Sequence, residues 1–235
     1  MYLLQTDDNG ELIHEEIMGR NVPPYAILSH TWSENHKDEV SFKDIAKGRG
    51  KDKQGYDKLR FCAKQATDDD LKHFWVDTCC IDKSSSAELQ EAINSMFRWY
   101  QNSAKCYVYL ADVSCEALWM SKFRQSRWFT RGWTLQELLA PNTVEFFSAE
   151  GSKLGDKYSL AREIHKITRI PREAFLGIAS SLTRFSVEER ISWSDYRTTT
   201  RDEDKAYSLL GLFDLHIALL YGEGEDNAFR RLHEE

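Results

Sequence analysis

Tyr25-Ala26-Ile27-Leu28-Ser29 is an unbroken run of strand length, and His30-Thr31-Trp32-Ser33 follow it at once. A strand that stays apolar at successive positions belongs in a sheet covered on both faces. Polar residues just past such a strand lie at its carboxyl end, where open α/β sheets bind ligands. Pro23-Pro24 ahead of it reads as an extended entry.

The same pattern recurs along the chain. Phe74-Trp75-Val76 runs into Asp77-Thr78-Cys79-Cys80-Ile81-Asp82, Cys106-Tyr107-Val108-Tyr109-Leu110 ends at Asp112, and Val144-Glu145-Phe146-Phe147 supplies a fourth strand. Helical patterns alternate with these. One runs from Tyr56 to about Ala66. A second opens at the capping box Ser85-Ser86-Ala87-Glu88 and places Leu89, Ile93, Met96, Phe97 and Tyr100 on one face. The third is Trp128-Phe129-Thr130-Arg131-Gly132-Trp133-Thr134-Leu135-Gln136-Glu137-Leu138-Leu139-Ala140-Pro141, closed by the proline. This alternation predicts a parallel sheet with right-handed crossovers, flanked by helices, over about residues 22–150. Residues 35–55 read as a loop with a helical turn near Phe42–Ile45, and 113–127 as a loop holding Trp119. Residues 1–24 show only a short apolar piece, Tyr2-Leu3-Leu4, and a turn at Asp8-Asn9-Gly10.

After Gly151 the pattern becomes helical, so residues 155–235 are expected to form a C-terminal helical part of a single domain spanning 1–235. Leu160–Ile167 is one helix. Ser186-Val187-Glu188-Glu189 is a second capping box, and Thr200-Arg201-Asp202-Glu203 a third, opening a helix through Ala206, Leu209, Leu210 and Phe213. The last helix, Ala228–Leu232, is still running near Glu235, which suggests a piece of a longer protein.

Composition narrows the partners. The 235 residues carry a net charge of −7 with no basic run, which argues against nucleic acid and against an anionic membrane surface. No apolar stretch reaches the roughly 18 residues of a membrane span, and the N-terminus lacks a signal-peptide pattern. Cys62, Cys79, Cys80, Cys106 and Cys115 contain no C-x-x-C pair, so buried reduced thiols in a cytoplasmic protein are expected and no metal site. GxGxxG, Walker, G-x-S-x-G and H-E-x-x-H motifs are absent.

Candidate site residues come from the strand ends and the third helix: Ser29, His30, Trp32, Asp77, Asp82 and Glu137. Within the helix, Trp133, Gln136, Glu137 and Ala140 share a face, so a carboxylate sits one turn after an indole. A carboxylate beside an aromatic suits a cationic or sugar-containing ligand. The helix N-terminus would favour the ionised form of Glu137. The plain alternatives stay open: Trp133 as core with Glu137 facing water, His30 as a structural histidine, and Asp77 and Asp82 as turn caps.

Five motifs in order identify a family. The stretches 24–32, 74–82, Gln90-Glu91-Ala92-Ile93-Asn94-Ser95-Met96-Phe97-Arg98-Trp99-Tyr100 and 128–138, with the tail Thr198-Thr199-Thr200-Arg201-Asp202-Glu203-Asp204-Lys205-Ala206-Tyr207-Ser208-Leu209-Leu210-Gly211 and Leu220-Tyr221-Gly222-Glu223-Gly224, closely resemble the fungal heterokaryon-incompatibility (HET) domain. That resemblance implies a cell-death effector in non-self recognition, at the N-terminus of a longer chain whose other domains drive self-association.

A more distant resemblance is to TIR domains. It implies a TIR-like (flavodoxin-like) α/β fold with a C-terminal helical appendage. Trp133-Thr134-Leu135-Gln136-Glu137 is similar to the W-C-x-x-E pattern of that family, with Thr134 in place of cysteine. It implies NAD+ as substrate, no permanently bound cofactor, and Glu137 as the catalytic residue of nicotinamide–ribose hydrolysis. Trp133 or Trp32 would stack a ring, and Ser29, His30, Asp77 and Asp82 would line the pocket. Arg131, Arg124 or Arg127 would meet the pyrophosphate. The competing expectation is a non-enzymatic module that signals by homotypic assembly.

Overall fold

The apolar run at 25–30 is the middle strand of the sheet, and no residue in it reaches solvent to any extent. The computed structural model describes residues 1–19, 21–177 and 179–235. β1 (Tyr2–Thr6) and β2 (Leu12–Glu16) form a hairpin, followed by β3 (Tyr25–His30). α1 (Phe42–Ala46) and α2 (Tyr56–Asp68) lead to β4 (His73–Trp75), and α3 (Ser86–Asn102) leads to β5 (Lys105–Tyr109). α4 (Trp119–Gln125), a 3-10 turn over Arg127–Thr130 and α5 (Thr134–Leu139) precede β6 (Val144–Phe147) and β7 (Lys153–Asp156). The rest is helical: α6 (Ala161–Thr168), α7 (Arg172–Leu176), α8 (Val187–Ser192), α9 (Asp204–Tyr207), α10 (Leu210–Phe213) and α11 (Glu225–Glu234).

The strand order is β2-β1-β4-β3-β5-β6-β7. The four expected strands are parallel neighbours in the order β4-β3-β5-β6. The sheet is nonetheless mixed rather than purely parallel. The β1–β2 hairpin adds antiparallel to β4 through Leu4 opposite Phe74, and β7 adds antiparallel to β6 across an irregular register. These added strands have only four or five residues each, and none shows a clean alternation of buried and exposed positions, which leaves no readable period.

Helices cover both faces. On β5, Tyr107 reaches the Gln65 carbonyl of α2, while the neighbouring Cys106 thiol lies against the Glu137 carbonyl of α5. Successive strand residues point to opposite faces, so α2 and α5 lie on opposite sides of the sheet. The 113–127 region is not simply a loop: α4 drives Phe123 edge-on against Phe129 and Phe146. Leu118 at its start offers no side-chain cap, which is why no start signal was readable.

Capping follows the sequence in part. Ser186 and Glu189 make a complete capping box. Ser85 accepts from Glu88 N, but the Glu88 carboxylate turns to Asp82 N at 2.7 Å, so that box is half formed. The box at Thr200 does not form. Glu203 instead accepts from Gly222 N and Gly224 N at 2.7 and 3.1 Å, and the helix after it breaks into α9 and α10.

The C-terminal part is welded to α3. Gln90 and Asn94 exchange hydrogen bonds with the backbone of Ile217 and Leu219 at 2.6–3.1 Å. α10 crosses α3 so closely that a Cβ on Gly211 would lie 2.0 Å from Phe97 Cβ, a distance only glycine avoids.

Candidate functional site

β3 connects towards β4 and β5 towards β6, so their crossovers leave in opposite directions. Ligands of open α/β sheets bind outside the carboxyl ends at such a point. A cavity of about 450 Å³ opens there. His30, Trp32, Asp77, Arg131, Trp133 and Glu137 all line it, so six of the eight expected residues converge on one space.

Glu137 sits where α5 crosses the end of β3 and is only 7 % exposed. Ser29 Oγ donates to Glu137 Oε2 and accepts from Trp128 Nε1 at 2.7 Å. Ser29 is itself fully buried, so it holds the carboxyl from behind rather than lining the pocket as expected. Burial pushes the Glu137 carboxyl up to about 8; the Ser29 bond opposes this, the nearby Asp77 charge adds to it, and Arg131 lowers it. The expectation that the helix N-terminus keeps Glu137 ionised is therefore overturned. α5 has six residues, a weak dipole against full desolvation.

His30 projects from the next position of β3. Its side chain is 1 % exposed, 3.7 Å from Asp77, and neither ring nitrogen has a hydrogen-bond partner among the described residues. Burial depresses its pKa to about 4, so it is neutral at pH 7. Asp77 accepts from Trp32 Nε1 at 2.8 Å, and the Lys83 ammonium lies 3.8 Å from the Trp32 ring centroid. Lys83 covers one face of the Trp32 ring, and Trp133 lines the same cavity. Trp133 Nε1 donates to Asp204 at 3.2 Å, which anchors one edge of the ring and leaves it half-buried at the cavity wall.

Asp82 does not reach the cavity. Its carboxylate accepts from the Ser84 amide and hydroxyl at 3.0 and 2.6 Å, a local turn cap. Arg124 pairs with Glu163 and Arg127 with Glu34, so of the three candidate arginines only Arg131 faces the cavity. Cys79 is buried as expected, and burial raises its thiol to about 12, which disfavours the thiolate. Cys115 alone among the five thiols is exposed. Among the described residues no group of three or more His, Cys, Asp or Glu is placed to hold a metal.

Several site residues carried no readable signal. Thr200, Arg201, Asp204 and Tyr221 from the C-terminal part close the cavity. Tyr221 donates to Asp204 at 2.9 Å, and Arg201 lies 4.0 Å over the Tyr221 ring. Arg197 is a buried cation whose Nη1 donates to the Arg131 carbonyl and Thr134 Oγ1 at 2.7 and 2.8 Å, pinning the start of α5. Thr200, Arg201 and Asp204 stand in the Thr198–Gly211 motif and Tyr221 in the Leu220–Gly224 motif, so membership of those motifs was the one available pointer.

The fold and site together define an α/β domain with a buried carboxylate in a largely apolar, arginine-rimmed crevice at the carboxyl end of its sheet. The family profile "Heterokaryon incompatibility protein (HET)" matches residues 25–120. Over its whole length the chain is 56 % identical to vegetative incompatibility protein HET-E-1 of Podospora anserina, of which it spans 18 %. The chain belongs to the heterokaryon-incompatibility family. No solved structure matches it. Among the described residues no helix is long and apolar enough to cross a membrane.

Proposed function

We propose that this domain is the cytoplasmic cell-death effector of a fungal incompatibility protein and acts by TIR-like hydrolysis of the nicotinamide–ribose bond of NAD+ when self-associated. The observation that carries the reading is Glu137, a carboxyl buried at a cavity wall and held by Ser29. The parallel strand order β4-β3-β5-β6 and the crevice at its carboxyl end support the TIR-like comparison. The name of the Podospora relative supports the biological setting.

The chemistry follows from the charges. The C1′–N bond breaks with its electron pair going to the nicotinamide nitrogen, which loses its positive charge. The ribose then carries the positive charge as an oxocarbenium-like centre, which a carboxylate stabilises. Water adds at C1′ and its proton passes to Glu137, giving ADP-ribose. Burial favours the protonated form of Glu137 at neutral pH, and an arriving nicotinamide cation favours the ionised form. Binding of the cation and loss of the proton are thus coupled. Trp133 offers the ring face, and neutral His30 and Asp77 offer hydrogen-bond partners for ribose hydroxyls.

The test is nicotinamide release from NAD+ by the purified domain, alone and fused to an oligomerising scaffold, with Glu137→Ala beside the wild type. Release by the wild-type fusion that Glu137→Ala abolishes is expected. Equal, background turnover by both sinks the enzymatic reading. If death signalling then survives the substitution, the domain is an assembly module.

A further inference from the structure

Two arginines reach the same rim from distant parts of the chain. Arg131 follows the 3-10 turn, and Arg201 stands 70 positions later between Arg197 and α9. Their segments are zipped together by backbone bonds. Thr198 N donates to the Thr130 carbonyl at 2.7 Å and Gly132 N to the Thr198 carbonyl at 2.9 Å. Arg197 clamps the same joint through the Arg131 carbonyl. Gly132 permits the approach, since a Cβ there would lie 2.4 Å from Thr199 Cγ2. The Arg131-Gly132 and Thr198–Arg201 motifs are thereby one structural unit.

Both arginine side chains line the cavity that holds Glu137. Among the described residues neither guanidinium has a hydrogen bond or an ion pair, in contrast to Arg124 and Arg127 nearby. The Arg201 guanidinium carbon lies 4.0 Å over the Tyr221 ring centroid, a cation–π contact that uses none of its N–H donors. The neighbouring acids cancel this charge only in part, although Glu203 stays ionised and attracts Arg201. Glu203 is spent on Gly222 N and Gly224 N, Asp204 accepts from Trp133 and Tyr221, and burial pushes both Asp204 and Glu137 towards the neutral form.

We propose that Arg131 and Arg201 form a two-jawed clamp for a diphosphate, so that the cavity takes a phosphorylated nucleoside and rejects the free nucleoside. Planar guanidinium forks meet phosphate oxygens in pairs, and two forks on one rim suit two linked phosphates. The C-terminal part is then half of the binding site rather than a cover over the sheet. The role of the clamp in turnover rests on the NAD+ reading; its affinity for a diphosphate does not.

The experiment is a calorimetric titration of the whole domain with ADP-ribose and with nicotinamide riboside, for wild type, Arg131→Ala, Arg201→Ala and Arg201→Lys. ADP-ribose affinity is expected to fall roughly tenfold or more in each alanine variant, with the lysine variant between, because lysine keeps the charge and loses the fork. Wild-type affinity for ADP-ribose should weaken with added salt, and its preference over nicotinamide riboside should shrink towards parity in Arg201→Ala. Arg201 is exposed, so Arg201→Ala carries the test if Arg131→Ala melts early. Affinity for ADP-ribose within about twofold of wild type in Arg201→Ala, or no saturable ADP-ribose binding by the wild type, overturns the clamp. ADP-ribose binding that needs both arginines, without any nicotinamide release, would leave the clamp standing and remove the hydrolysis.

Discussion

The Ser29 hydroxyl donates its only hydrogen to Glu137 Oε2. It has no freedom to do otherwise, because the Trp128 indole N–H, a donor only, already occupies the Ser29 oxygen at 2.7 Å. Oε2 is therefore an acceptor in either protonation state, and the titrating proton of Glu137 belongs on Oε1.

This makes Trp128→Phe a sharp perturbation. An aromatic ring stays, the smaller phenyl leaves a gap in the core, and the N–H is lost, which frees Ser29 to turn away. The Ser29 bond holds the Glu137 pKa down against burial, so both Ser29→Ala and Trp128→Phe should raise it further. A ¹³C-carboxyl NMR titration reads this without any assay of turnover. A Glu137 pKa unmoved in both variants would show that the bond does not bias the carboxyl.

Glu137→Gln tests the same burial through stability. The folded-state pKa of about 8 lies above the ordinary 4.5, so between these values the folded chain binds the extra proton. That contribution is present in full below about pH 4.5 and is lost as pH rises through about 8, on the order of 5 kcal/mol in all. Glutamine, neutral throughout, should melt with less dependence on pH and gain on the wild type at alkaline pH. Parallel melting curves across this range would contradict the assignment.

The strands at 25–30 and 144–147 were legible because burial on both faces writes an unbroken apolar run. Glu137 was legible from its spacing after Trp133. What sequence did not carry was direction. Ser29 and His30 are neighbours of similar polarity, yet the pleat sends Ser29 behind Glu137 and His30 into the cavity wall. Asp77 and Asp82 both follow the same strand, and only the folded turn shows that one meets Trp32 and the other Ser84. Arg201, Asp204 and Tyr221 belong to the site through contacts across more than sixty positions, such as Trp133 with Asp204, which no local period records. The β1–β2 hairpin was missed because its short strands alternate weakly.

Asp82→Ala and Asp77→Ala should therefore part company. Loss of the Asp82 turn cap should cost about 1 kcal/mol in thermal melting and leave nicotinamide release within about twofold of wild type. Loss of Asp77 strips Trp32 and Lys83 of their shared partner at the cavity and should lower release by about tenfold or more. Equal effects of the two would return Asp82 to the site.

Gly211→Ala probes the weld between the C-terminal part and α3. The added methyl would meet Phe97 Cβ at 2.0 Å, and overpacking of this kind costs about 1–3 kcal/mol or more. The backbone crossing itself is too close, so Phe97→Leu should restore little of the loss, while Phe97→Ala alone leaves Gly211 in place and should be milder than Gly211→Ala. A neutral Gly211→Ala would show that the two helices part easily.

The most direct measurement is the pH dependence of nicotinamide release by the oligomerised domain, for wild type and Glu137→Gln, between about pH 6 and 10. On the proposed mechanism the ionised carboxylate is the working form, so wild-type kcat/KM should climb about tenfold per pH unit and level off near 8, the value burial gives Glu137 in the free protein. Glu137→Gln should stay at background throughout. Turnover by Glu137→Gln equal to wild type, or a wild-type profile flat through pH 8, would contradict the assignment of Glu137 as the catalytic group.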